Sequence, residues 1–480
     1  MNGRGQKTFA GLLLGLGLLV GQLPASRSQT ATPRASYIPY TEARPILDAL
    51  SDALPAELRA VALTDMAAAW AKWTASRDAE IRARLVQGDE DSVINFMLFG
   101  TSFTRQPRIT LKALADAGQN LNTPETTAFI EAIKTRAGDL VQSLTLPGTN
   151  ERLLFARRLV EAKGYDVKTD AARERVKQYL LNNLARVLGE QASFAKILES
   201  ARMLGDPSQE FAERSKLFRD RGLSSDTSLM PNFAIERSLA AMKSKGLLAA
   251  GSVRRVGIIG PGLDFTDKQD GYDFYPQQTI QPFAVIDSLL RLGLARPGDV
   301  RVMTLDLSAR INDHLSRARA RAAQGTSYLV QLPRDSQWQP QLADYWSKFG
   351  DRIGEPATPV AAPTALGDIK VRAVKIRPAV VSLISSADLN IVLQRLNLPA
   401  NESFDVIIAT NILVYYDVFE QSLALTNVEK MLRPGGFLLS NNALLELPGA
   451  RMHSVDYETV VYSNRANDGD HIVWYQRAAN

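Results

Sequence analysis

From about Thr41 to Lys245 the apolar positions recur at helical spacing, and beyond Gly251 they gather into short β-branched runs separated by amphipathic stretches. In the first part, Val176, Tyr179, Leu180, Leu184 and Val187 fall on one helix face, and Thr169-Asp170 is placed to cap it. Thr123-Pro124-Glu125 is a second start signal, with Thr as N-cap and Pro at the first helical position. Leu146-Pro147-Gly148 and Gly205-Asp206-Pro207 interrupt the periodicity, and no internal repeat is present. The pattern predicts an all-α N-terminal domain over residues 29–245 and an α/β domain over 246–480.

In the α/β part, strands are predicted at Val253–Ile259, Val300–Leu305, Val380–Ile384, Phe404–Ala409 and Phe437–Leu439. Two late strands, near Glu458–Tyr462 and Ile472–Tyr475, complete a Rossmann-like, mostly parallel sheet of about seven. Helices are predicted at Pro282–Leu292 and from about Asp417 to Leu432. Two stretches, Thr266–Thr279 and Pro333–Ile369, read as long irregular inserts of the kind that serve as lids or binding loops.

Composition narrows the chemistry. The 480 residues contain no cysteine, which excludes disulfides, thiolate metal sites and a cysteine nucleophile. The histidines are His314, His453 and His471, too scattered for a metal site, and no metal is expected. The net charge of +5 arises from dispersed Lys and Arg without basic runs interleaved with aromatics, so nucleic acid is not an expected partner. At the N-terminus, Arg4 and Lys7 precede an apolar run from Phe9 to Val20, and Ser26-Arg27-Ser28 supplies small residues before Gln29. This order predicts a secretory signal over residues 1–28 and a periplasmic or extracellular product; an uncleaved anchor would send the chain the same way. No membrane span is expected beyond it.

The candidate chemistry sits where the first strand meets Gly260-Pro261-Gly262, because a backbone without Cβ lets a nucleotide or amino-acid moiety approach closely. A carboxylate ending the second strand, Asp306, can accept both hydrogen bonds from a ribose diol, or else cap the next helix. Asp388 after the third strand admits the same two readings, with an adenine amino group in place of the diol.

Phe404-Asp405 opening the fourth strand and Leu432-Arg433-Pro434-Gly435-Gly436 before the fifth extend the series, and together these features resemble class I S-adenosylmethionine-dependent methyltransferases. Within them, Phe404 to Asp417 (FDVIIATNILVYYD), the segments AQGTSYLV and ADYWSKF, and Gln281-Pro282-Phe283 resemble the chemotaxis-receptor glutamate O-methyltransferase type. The resemblance implies S-adenosylmethionine as cofactor, with Gly260, Gly262, Asp264, Asp306, Asp388 and Asn411 around it. It implies a protein or small-molecule acceptor methylated on a carboxylate or hydroxyl, with Tyr415 orienting the acceptor and Asn411 supporting it. Thr101-Ser102-Phe103-Thr104-Arg105 resembles the family's Thr and Arg motif, which implies that Arg105 faces cofactor and substrate. Because this cofactor is made in the cytoplasm, the alternative is a catalytically degenerate fold that binds or scaffolds outside it.

Overall fold

The computed structural model describes residues 33–109, 123–203, 221–265, 272–334, 337–367, 369–465 and 468–479. The predicted N-terminal signal lies outside them. Twelve strands are described: β1 Ala35–Tyr37, β2 Arg255–Ile259, β3 Arg301–Asp306, β4 Tyr328–Arg334, β5 Gly354–Ala357, β6 Lys370–Ile376, β7 Ile384–Asp388, β8 Gln394–Leu396, β9 Phe404–Ala409, β10 Leu432–Ser440, β11 Met452–Val461 and β12 Gly469–Arg477. Seven of them form the α/β, Rossmann-like sheet expected from the sequence, in the order β11-β12-β10-β9-β2-β3-β7. The five strands from β10 to β7 run parallel, and the β11–β12 hairpin joins antiparallel at one edge. After β2 the chain winds outward through β3 to β7 and then returns to β9 on the other side of β2. That reversal leaves a crevice at the carboxyl ends of β2 and β9, the place where doubly wound sheets bind ligands.

Alternation along each strand divides the core between two faces. In β9, Val406 and Ile408 pack on the face covered by the helices Met230–Ser244 and Gln281–Arg291. Phe404, Ile407 and Ala409 pack on the other face, with the helix Val418–Met431 and with Ile38, Trp70, Trp73 and Ile81. The last three of these belong to a 34-residue helix, Met66–Phe99, whose far end enters a separate helical core with Leu140, Val160 and Leu180. Helices from the predicted N-terminal part thus pack on both faces of the sheet, and the described residues from Arg34 onward form one compact unit. The start signals behave as local physics dictates. Thr123 accepts from the Thr126 N–H, Thr169 from the Ala172 N–H, and Asp417 forms a capping box with Glu420.

Three predicted elements differ. The third strand is Ile384–Asp388, and Pro378–Val381 is a short helix; Val380 and Val381 are buried from it, and Pro378 sets the helix start. The stretch Pro333–Ile369 is structured in part: β5 and the helix Pro340–Lys348 fall within it, and β4-β6-β5 form a small antiparallel sheet. The Arg433-Pro434-Gly435-Gly436 turn lies inside β10, where the register against β9 slips between Leu432 and Phe437. Gly435 takes φ +73°, and a Cβ on Gly436 would lie 2.9 Å from the Arg433 carbonyl oxygen. Asp405 ties the bulge to the sheet by accepting from the Arg254 and Arg255 N–H groups and pairing with Arg433. The two motifs that carry the resemblance are therefore one fastening at the amino ends of the strands, opposite the crevice. Asp405→Ala leaves two backbone donors and a guanidinium without their acceptor, and is expected to destabilise the fold by about 2–4 kcal/mol. Urea unfolding of both proteins measures this, with the ligand affinity of the folded variant expected to be unchanged.

Candidate functional site

A cavity of about 490 Å³ opens at the carboxyl ends of β2, β3 and β9. Gly260, Gly262, Asp306, Asn411 and Tyr415 line it, so the structure brings five of the sequence-predicted residues together. The turn after β2 needs its glycines: Gly260 has φ +63° and Gly262 φ +69°. A Cβ on Gly260 would come within 2.1 Å of the Ile412 side chain, and one on Gly262 within 2.8 Å of Thr227 Cβ.

That second contact reveals a wall which the sequence did not announce. The segment Leu223–Ser228 runs over the glycine turn, with the Leu263 N–H donating to the Ser225 carbonyl at 2.8 Å. The segment is seated on the long helix by the Leu223 N–H to the Arg84 carbonyl at 3.1 Å. A Cβ on Gly88 would stand 1.8 Å from the Leu223 oxygen, so only glycine permits this approach. Its one visible signal was a polar run, Ser224-Ser225-Asp226-Thr227-Ser228, inside an otherwise helical half.

Asp306, the last residue of β3, is 8% exposed. One carboxylate oxygen accepts from the Ser308 N–H at 2.7 Å, and the other accepts from no group among the described residues. Burial pushes its carboxyl up to about 7, against the pull of that N–H and of the Arg310 charge, with Asp388 adding a smaller upward push. Apolar residues, Leu307, Leu389 and Ile391, line the cavity with it.

Beyond β9 the chain turns at Asn411, the one non-glycine with positive φ (59°) among the described residues. Asn tolerates that conformation better than most residues. Its pairing with Asn441 holds it there: the Asn411 N–H donates at 2.8 Å and the Asn441 amide returns a bond at 2.6 Å. Tyr415 is half-buried at the cavity wall, and Arg84 donates to its carbonyl at 3.0 Å. Tyr416 is 3% exposed, with the Arg84 guanidinium 5.7 Å from its ring centre. Gln281, opening the helix after the glycine turn, is 3% exposed and donates to the Thr410 hydroxyl at 3.0 Å. Tyr462, Asp468 and Asp470, around the β11–β12 turn, complete the lining; as scattered single positions they left no pattern in the sequence.

Three predicted residues lie elsewhere. Asp264 is buried beyond the glycine turn, accepting from the Tyr275 hydroxyl at 2.8 Å and the Gln278 amide at 3.0 Å. Asp388 ends β7, is not part of the cavity lining, and forms a two-pronged ion pair with Arg82 at 2.8 and 3.1 Å. Arg105 is exposed and off the cavity. The start of its segment is tied to Asp273 through the Thr101 and Ser102 N–H groups at 2.9 and 2.8 Å. The Thr and Arg motif is thus used to fasten the helical region to the chain beyond the glycine turn. Among the described residues no cluster suited to a metal ion occurs, and no helix is long and apolar enough to cross a membrane.

No family model and no curated protein matches the chain. Solved structures do. The N-methyltransferase NodS from Bradyrhizobium japonicum WM9 aligns over 51% of this chain and 96% of its own, at 15% identity and a TM-score of 0.25. An O-methyltransferase family protein from Burkholderia thailandensis aligns over 88% of this chain and 99% of its own, at 12% identity and a TM-score of 0.23. The glycopeptide N-methyltransferase MtfA, complexed with S-adenosyl-L-methionine, aligns over 52% of this chain and 79% of its own, at 12% identity and a TM-score of 0.21.

Proposed function

We propose that the chain is an S-adenosylmethionine-dependent methyltransferase. The observation that carries the reading is Asp306: a buried carboxylate at a strand end, with an uncommitted oxygen, beside a glycine turn at the switch point of a doubly wound sheet. A ribose diol offers a donor for that oxygen. Leu307, Leu389 and Ile391 give an apolar slot for the adenine, and the cavity volume lies within the range of small-molecule sites. The Gly260–Gly262 turn presents backbone to the amino-acid end.

When bound, the cofactor supplies an electrophilic methyl group on a sulfonium. The protein's share is to hold the acceptor in line with it and keep water out. Asn411 and Tyr415 border the part of the cavity beyond β9, where an acceptor would lie. Calorimetry of the full chain with S-adenosylhomocysteine tests the reading. Saturable binding supports it, and its absence in the folded protein favours the scaffold alternative.

Export is part of the proposal, on the charged, apolar and small-residue order of residues 1–28. N-terminal sequencing of the protein recovered outside the cytoplasm is expected to begin near Gln29. An intact Met1 in the soluble cytoplasmic fraction would overturn export.

A further inference from the structure

The cavity's charge identifies the class of molecule that shares it with the cofactor. Asp226, Asp306, Asp468 and Asp470 line it, and among the described residues no Lys, Arg or His does. In the reading above Asp306 serves the ribose. Asp468 and Asp470 form a second acidic pole in the turn that enters β12. Asp470 accepts from the Tyr462 hydroxyl at 2.5 Å and, weakly, from the Asn441 amide at 3.4 Å. Asp468 accepts from the Ser463 hydroxyl. These partners are neutral, and the ion pairs of the described residues include neither carboxylate. Burial first, and then the charges of Asp470 and Asp468, push the Tyr462 phenol up, as two nearby anions require.

An independent feature points the same way. Gln281 is 3% exposed, lines the cavity and donates its amide N–H to the Thr410 hydroxyl at 3.0 Å, and no described group donates to its Oε1. Together with two carboxylates whose hydrogen-bond partners are all neutral, that acceptor favours a donor carrying positive charge. A carboxylate acceptor would instead meet like charge: at 4 Å such a pair costs about 1 kcal/mol in water and about 4 kcal/mol at the effective dielectric of a protein surface.

We propose that the second ligand of this cavity is an amine, held as its ammonium ion by Asp470 and Asp468. The proposal rests on the methyltransferase reading for the place of the cofactor, and it departs from the carboxylate or hydroxyl acceptor that the sequence resemblance implied.

Three matched probes, benzylamine, benzyl alcohol and benzoate, test it by saturation-transfer NMR and titration on the full chain. Benzylamine is expected to bind and benzoate not. D470N is expected to weaken benzylamine about 10-fold, the loss of one charge-assisted hydrogen bond, while benzyl alcohol is unaffected. D468N serves as a second variant should D470N fail to fold, and a circular dichroism spectrum and urea unfolding midpoint equal to those of the wild type show that either variant is folded. Benzoate binding as well as benzylamine, no benzylamine binding by the wild type, or undiminished binding in both folded variants would overturn the proposal. S-adenosylhomocysteine binding without amine binding removes the amine and leaves the methyltransferase reading. Amine binding lost in D470N, without S-adenosylhomocysteine binding in the wild type, removes that reading and upholds the amine site.

Discussion

Asp306→Asn is expected to weaken S-adenosylhomocysteine binding about 10- to 100-fold at pH 8 and, at the same pH, to stabilise the folded protein. Both effects follow from one buried carboxylate. In binding, the anion is the acceptor that a diol would use, and exchanging it for an amide loses roughly 1–3 kcal/mol of charge-assisted hydrogen bonding. In folding, burial raises the carboxyl from its ordinary 3.8 to about 7. Its stabilising contribution is complete below pH 3.8 and is lost as the pH rises through 7, because the folded chain holds the proton that the unfolded chain releases. At pH 8 the wild type carries the whole penalty, so the amide is more stable by roughly 2–4 kcal/mol; toward pH 5 the difference shrinks. The Ser308 N–H keeps an acceptor in the variant, so the turn after β3 is expected to survive.

The same ionisation gives the binding its pH dependence. Wild-type affinity is expected to be flat above pH 7 and to fall below it as the carboxyl takes up a proton, whereas Asp306→Asn shows no such limb. Calorimetry at several pH values and urea unfolding at pH 5 and pH 8 measure the two halves separately. An unchanged affinity in the variant removes Asp306 from the ligand site.

Arg152→Met is expected to cost about 3–5 kcal/mol of stability, because several hydrogen bonds from a charged group to backbone carbonyls, each worth roughly 1.5–3 kcal/mol, are lost together. Arg152 is 2% exposed, at the start of the helix Glu151–Ala162, and its guanidinium is spent on backbone carbonyls. It donates to Asp264 at 3.1 Å and Asp273 at 3.2 Å, and also to Phe265 and Tyr275. It thereby joins both ends of the stretch read from the sequence as an irregular insert, just beyond the glycine turn. Methionine fills a similar volume and leaves these oxygens without their donor. Arg152→Lys is expected to fall between the two, since an ammonium lacks the planar fork that reaches several carbonyls together. Urea unfolding midpoints for the three proteins, with unchanged slopes, measure the effect. A midpoint in Arg152→Met equal to that of the wild type contradicts it.

Much of this was legible locally. The β-branched run ending at Gly260, the aspartate ending β3 and the FDVIIA strand each declare themselves within a few residues, because strand burial, strand ends and tight turns are short-range properties. The caps at Thr123, Thr169 and Asp417 are of the same kind. What lies between distant segments was not legible. Nothing near Asp388 in the chain shows that Arg82 will claim it, nor near Arg105 that its segment will be fastened to Asp273, away from the cavity. The Phe404-Asp405 and Arg433-Pro434-Gly435-Gly436 signatures were readable, while their joint use as a fastening at the amino ends of the strands depends on β9 and β10 lying side by side. The wall at Leu223–Ser228 and the acidic pole at Asp468 and Asp470 are likewise products of packing. The sequence by itself determined six of the seven strands of the large sheet, where the chain can turn and which strand end carries a carboxylate. The tertiary structure alone decided which side chains share the cavity, because a contact across a hundred or more residues is set by the competition of all buried surfaces and charges for one another, and no local window contains that competition.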